Sequence, residues 1–460
     1  MSAPEMNTRR VLSLAGPVMV SMFSYALMNA ADAVFVGRQG TVPLAAIGLA
    51  ITVVWLFLAL PHGLMRGLKV ATSQAVGAGR QEVADDLGWQ AIWLALGTGF
   101  VVALGANYGT QVFLALGATQ DVAATADLYF RIRALAAPIA LLSLGLTGWF
   151  EGRGDTKTPA RVNVAVNVIN IALDAVLVPR MGIAGAAWAG VLSLSLAAVW
   201  QLVAAAPILR RSFAGIHREL LVESLRLGMP IGVQRLLDVF AWTVLSGVIA
   251  SCGDHHLAAH VLAIRILLVS FLPGFAIAEA TAVLVGQSVG ARRPDQARAA
   301  WRAGVTSAVV VMAVGGLVFV LFPSWLLAPF GAGADVLPVA RQLLWVAAAF
   351  QIIDGIATVT YFCLDGAGDT RFTLISSISM SFGLKLPLGW ALARFTTLGA
   401  VGAWLGLTAE LVALVFVLGW RWRSGRWYAP DRLIAASTGS ASSAVARDER
   451  GEANPQRSSG

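Results

Sequence analysis

Gln74-Ala75-Val76-Gly77-Ala78 returns 213 residues later as Gln287-Ser288-Val289-Gly290-Ala291, and Gly154-Asp155-Thr156-Lys157 returns 214 residues later as Gly368-Asp369-Thr370-Arg371. Outward from these stretches the register holds. Leu14-Ala15-Gly16-Pro17 matches Leu227-Gly228-Met229-Pro230, and Leu44-Ala45-Ala46 matches Leu257-Ala258-Ala259. Four matches in one order and one register mean two copies of a structural unit, not chance. In membrane chains such duplication is characteristic of secondary transporters, whose substrate site lies where the repeats meet.

The solvent follows from composition. At 57% hydrophobic and 13% charged, a chain of this length has too little polar surface for water and belongs in a bilayer. A span needs roughly 20 apolar residues. Such stretches fall near 13–35, 44–70, 88–107, 128–150, 162–179 and 184–206, then near 227–250, 257–285, 303–322, 337–362, 373–392 and 399–420. The reading is all-α: twelve spans in two six-helix lobes. An even number per lobe makes the repeats parallel, related by a pseudo-two-fold axis along the membrane normal. The expected organisation is an N-lobe over 1–206, a linker over 207–226, a C-lobe over 227–428 and a disordered tail over 429–460, where Ser, Ala, Gly and charge replace the apolar pattern.

Positive charge gathers on one set of connections, including Arg9, Arg10, Arg80, Arg153, Lys157, Arg210, Arg211, Arg292, Arg293, Arg371, Arg421 and Arg423. The other set holds only Arg38, Arg131, Arg133, Arg180, Arg341 and Arg394. Lys and Arg resist translocation, so both termini are expected in the cytoplasm of an inner-membrane protein. This topology accounts for the net charge of +8 without nucleic acid, leaving the lipid bilayer as its partner. The first apolar stretch is read as a retained helix, because its repeat at 227–250 lies mid-chain where no signal peptide can be. Cys252 and Cys363 occupy non-equivalent places and suggest neither a disulfide nor a metal.

Charge kept inside apolar helices marks the chemistry, since an Asp at a helix centre costs about 2.5–3.5 kcal/mol on insertion. Asp32, Asp174, Asp238, Glu279, Asp354 and Glu410 are such acids. Asn163, Asn167, Asn170 and Asp174 share one helical face, and Tyr25, Asn29 and Asp32 form a second. If the two faces meet, they enclose a polar cavity whose carboxylates can exchange a proton, although Asn and Asp also simply bond helices together. In the second lobe Gln234 with Asp238, and Gln351 with Asp354, Thr358 and Tyr361, form polar faces of a candidate cation or substrate site. Salt bridges from Arg235 or Arg265 to Asp238, and from Lys385 to Asp354, are expected there. Arg66 and Glu279 are equivalent in the repeat and are the candidate pair of an inter-lobe gate.

These elements resemble the multidrug and toxic compound extrusion (MATE) transporters over approximately 8–425. The resemblance rests on Gln74 and Gly286-Gln287 before each lobe's first basic loop, and on the two Gly-Asp-Thr-Lys/Arg turns. Asn170-Ile171-Ala172-Leu173-Asp174 is similar to the proton-site motif of the DinF-like bacterial branch, which implies proton coupling at Asp32, Asn170 and Asp174. The spacings from Pro230 to Asp238 and from Asp354 to Asp369 resemble the sodium-coupled NorM-like branch, in which the first acid is usually Glu. The resemblance implies a monomeric antiporter exporting small amphipathic or cationic compounds by alternating access, without cofactors, driven by a proton gradient or alternatively by sodium. A related lipid-linked precursor flippase is the nearest other reading. A membrane-embedded enzyme is the other class, but Asp85-Asp86 stands alone without a prenyl-transferase motif, and no His-Glu-x-x-His occurs.

Overall fold

The computed structural model describes residues 6–212 and 215–428, so the expected tail at 429–460 lies outside the described residues. The first lobe runs through α1 (Thr8–Gly37), α2 (Thr41–Gly77), α3 (Gln81–Leu104), a short α4 (Gly109–Ala115), α5 (Gln120–Leu135), α6 (Ala137–Gly152), α7 (Lys157–Met181) and α8 (Ile183–Leu209). The second runs through α9 (Arg218–Ala250), α10 (Asp254–Gly290), α11 (Pro294–Leu321), a short α12 (Pro323–Leu327), α13 (Val336–Gly366), α14 (Thr370–Met380), α15 (Leu386–Phe395) and α16 (Ala400–Arg423). Among the described residues ten helices, α3 counted together with the turn and α4 that continue it, are long and apolar enough to span a bilayer, and α5 with α6 forms an eleventh span bent by 54°. The twelfth is α14 with α15, joined without a gap by a π-turn over Ser381–Lys385. Even the short helices α4 and α12 repeat, each following the third span of its lobe.

The lobes depart from symmetry where proline does. Pro138 sits in the first turn of α6, where it lacks an N–H to continue α5, and the fourth span bends. Its counterpart Ile352 lies inside the unbroken α13. In the eleventh span Pro387 stands in the first turn of α15, and the preceding turn widens into the π-turn rather than forcing a clash. The first-lobe counterpart, Leu173, lies in the continuous α7.

Each lobe has its own apolar core, one built around Phe113, Phe130 and Ala126 and the other around Phe350, Leu344 and Trp404. Large apolar side chains such as Phe100, Val101, Val203 and Phe416 are exposed. On a bundle whose backbone bonds are satisfied within helices, this is the surface that lipid covers. The lobes meet chiefly along α2 with α9 and along α1 with α10. Gly63 and Gly67 of α2 pack directly against Gly232 and Gly228 of α9, so closely that a Cβ on Gly228 would lie 2.6 Å from the Leu64 Cα. Small residues four apart on both helices permit this approach.

Candidate functional site

The two first-lobe polar faces meet. Helices α1 and α7 pack side by side in parallel: Asn163 donates to the Ser21 hydroxyl at 3.0 Å and Asn167 to Ser24 at 2.7 Å. Further along the same seam the carboxyl groups of Asp32 and Asp174 are neighbours that interact with each other. Asp174 is fully buried, with Asn170 beside it nearly so. Among the described residues Asp32 Oδ1, Asn170 Oδ1 and both Asp174 oxygens lack a hydrogen-bond donor. Buried acceptors in that number call for a donor or a cation, because unpaired polar atoms are costly away from water. Tyr25 is exposed on α1, and the charge of Arg133 reaches both Tyr25 and Asp32.

Arg66 and Glu279 form an ion pair across the lobes at 3.4 Å. They belong to a larger cluster. Lys69 bonds Glu279 at 2.7 Å and Glu151 at 2.6 Å, tying α2 to α10 and α6, while the Arg66 guanidinium stacks 4.2 Å from the Phe362 ring centroid. Closer to the basic end, Gln74 Nε2 donates to the Gly366 carbonyl and Gln287 Nε2 to the Gly152 carbonyl, both at 3.2 Å. Gly152 and Gly366 end α6 and α13, so their carbonyls are among those a helix terminus leaves without an internal partner. Each lobe's repeated glutamine therefore completes the other lobe's helix.

The second lobe encloses a cavity of about 620 Å³ lined by Gln234, Asp238, Asp354, Thr358 and Tyr361 among aromatic side chains. Ser377 donates to Asp238 at 3.3 Å, Thr358 to Asp354 at 3.4 Å, and the Tyr361 hydroxyl to Gln234. Three sequence expectations are corrected here. Gln351 does not line the cavity: it is fully buried and donates to Ser270 at 2.5 Å, drawn back into space left by Gly315 and Gly316 of α11. Lys385 pairs with Glu410 at 2.9 Å rather than with Asp354, because the π-turn aims it toward α16. Arg235 and Arg265 form no ion pair within 4.0 Å among the described residues, although Arg235 lines the cavity.

Several participants escaped the sequence reading. Ser21 and Ser24 carry no signal of their own. Glu151 and Asp365 had one: Glu151-Gly152-Arg153-Gly154-Asp155 and Asp365-Gly366-Ala367-Gly368-Asp369 are the same element 214 residues apart. Asp365 is buried and accepts from Thr373 at 2.7 Å.

Two six-helix lobes exchanging equivalent contacts about a pseudo-two-fold axis, with buried carboxylates in each, define a duplicated multi-pass membrane transporter. The chain belongs to the MatE family, whose model matches residues 17–176 and 230–391. It is 31% identical to "Probable multidrug resistance protein NorM" of Deinococcus radiodurans, covering 92% of this chain and 98% of that one. The corresponding protein of Xanthomonas campestris is 30% identical, covering 92% and 94%. The fold superposes on an outward-facing multidrug resistance MATE family transporter with a TM-score of 0.86 at 24% identity, covering 92% of this chain and 97% of that one. A transporter of the same superfamily from Pyrococcus furiosus also gives 0.86, at 23% identity, covering 92% and 96%.

Proposed function

We propose that this chain exports small amphipathic or cationic compounds, including drugs, across the inner membrane in exchange for protons, by alternating access between its two lobes. The observation that carries the reading is the Asp32 and Asp174 pair, two facing carboxyl groups on a seam where both oxygens of Asp174 lack a donor. A proton delivered there supplies the missing donor and removes one charge. The seam joins α1 to α7, and α1 also packs on α10 of the other lobe, so a change in the seam is felt at the lobe boundary. The names of the NorM relatives support drug substrates, and the Arg66–Glu279 pair is the proposed gate contact. The basic end of the bundle, with both termini, faces the cytoplasm, and the working unit is a monomer.

Sodium coupling is favoured by one observation, the set of four unpartnered oxygens on Asp32, Asn170 and Asp174, which are hard ligands of the kind such ions take. Everted vesicles given a fluorescent cation on the outside, which is the cytoplasmic face, decide between the readings. Uptake into the lumen is expected under an imposed proton gradient alone and is lost in Asp174→Asn, which still inserts. Full activity of Asp174→Asn in proteoliposomes overturns the assignment, and drive by sodium alone transfers the coupling role to that ion.

A further inference from the structure

The charged pair that the sequence placed differently, Lys385 with Glu410, has no task in the proton reading. Its setting is unusual. Lys385 is 3% exposed and Glu410 4%, yet both line the second-lobe cavity together with Asp238, Asp354 and Arg235. The ammonium contacts Glu410 at 2.9 Å and the Ser381 hydroxyl at 3.0 Å, and Ser381 also donates to Glu410. It lies 5.8 Å from the ring centroid of Trp242, one turn beyond Asp238 on α9. Ser381 and Lys385 bound the π-turn, a feature that re-aims side chains and is common at functional sites. None of this is repeated in the first lobe, where the equivalents of Lys385 and Glu410 are Ile171 and Leu196.

We propose that Lys385 is a tethered cation: its ammonium holds the place beside Glu410 that a free sodium ion would otherwise take, in the cavity that Asp238 and Asp354 also line. Three arguments converge. A Lys head group is a compact point charge on a flexible four-carbon stem, the side chain most like a monovalent ion. Both oxygens of Glu410 are engaged by Lys385 and Ser381, so an ion at the most buried carboxylate of the cavity would have to compete with the ammonium already there. By formal charge the lining holds three acids against Lys385 and Arg235. One negative charge is left over, enough for a monovalent organic cation to neutralise. Without Lys385 the excess would be two, and the Glu410 oxygens would be exposed to the cavity.

The inference concerns equilibrium ion binding, so it stands or falls separately from proton-driven transport. Sodium chloride is titrated into the purified full-length protein, with choline chloride holding ionic strength constant, and heat of binding and melting temperature are read together. The wild-type protein is expected to give no saturable sodium heat and the same melting temperature in both salts. Lys385→Met is expected to gain saturable binding, at least about tenfold tighter than any wild-type response, with a melting temperature that rises with sodium. Lys385→Met/Glu410→Gln loses that binding again, and Lys385→Arg never acquires it. Lys385→Gln, which retains a donor for Glu410, serves if the Met variant does not accumulate. Saturable sodium binding by the wild type that disappears in Asp354→Asn overturns the proposal, as does a Lys385→Met or Lys385→Gln protein that folds and remains indifferent to sodium.

Discussion

Removing the reciprocal glutamines should loosen the basic end of the bundle by a predictable and unequal amount. Gln74 and Gln287 each donate at 3.2 Å to a carbonyl that ends a helix of the other lobe. With the lobes joined, Gln→Ala leaves that carbonyl buried and unpaired. With the lobes parted, water takes it. The cost therefore falls on the joined state alone, at about 1–3 kcal/mol per carbonyl, a roughly 5- to 150-fold shift in population toward the parted state. The two variants are not equivalent, because Gln74 Oε1 has no partner among the described residues. Gln74→Ala also removes that buried acceptor, so its net effect is the smaller. Spin labels on Lys157 and Arg371, exposed and equivalent positions of the two lobes, report the separation in a background lacking Cys252 and Cys363. The expected order of the longer-distance population is wild type, Gln74→Ala, Gln287→Ala, then the double variant. Unchanged distances in the double variant, or a larger effect from Gln74→Ala, would refute the reasoning.

Other outcomes follow from the same geometry. Lys69→Met strands the partly buried Glu151 and leaves Glu279 only the 3.4 Å contact with Arg66, so thermal denaturation should show a loss of up to about 3 kcal/mol, partly recovered by adding Glu151→Gln. Arg292 holds a φ of 57° where the first lobe has Gly79, and Arg292→Gly should raise stability by up to about 1 kcal/mol in the same assay. Gly228→Leu drives a side chain into the Leu64 backbone, whereas Gly16→Ala meets nothing within 4 Å. Membrane yield and gel-filtration profile should collapse for the first and stay unchanged for the second.

What the sequence displayed and what it concealed divide along a physical line. Spans, turns and repeat register are local or periodic properties, and Asn163, Asn167 and Asp174 could be placed on one face of α7 by helical spacing alone. That α1 would supply Ser21 and Ser24 as their partners is a matter of packing between segments about 142 residues apart, which no single stretch encodes. Gln351 shares the face of Asp354 by periodicity, yet two glycines on a neighbouring helix withdrew it. Lys385 was misdirected for a different reason: spacing arguments assume 3.6 residues per turn, and the turn before Pro387 is wider. Glu151 and Asp365 were legible in the repeat, but neither was among the acids singled out for lying in apolar helices.

The exchange of Gln74 with Gly366 and of Gln287 with Gly152 bears on how such a chain could arise. One lobe carries both the donor and the acceptor, and the contact it makes is the contact it receives. An interface of that kind is self-complementary, the condition for two identical copies to close on each other about a two-fold axis. A six-span precursor with this glutamine and this helix end would already have possessed a partner in its own twin. Fusion into one chain then freed each half to change alone, which is how a lysine could enter one cavity while a pair of facing aspartates occupied the other.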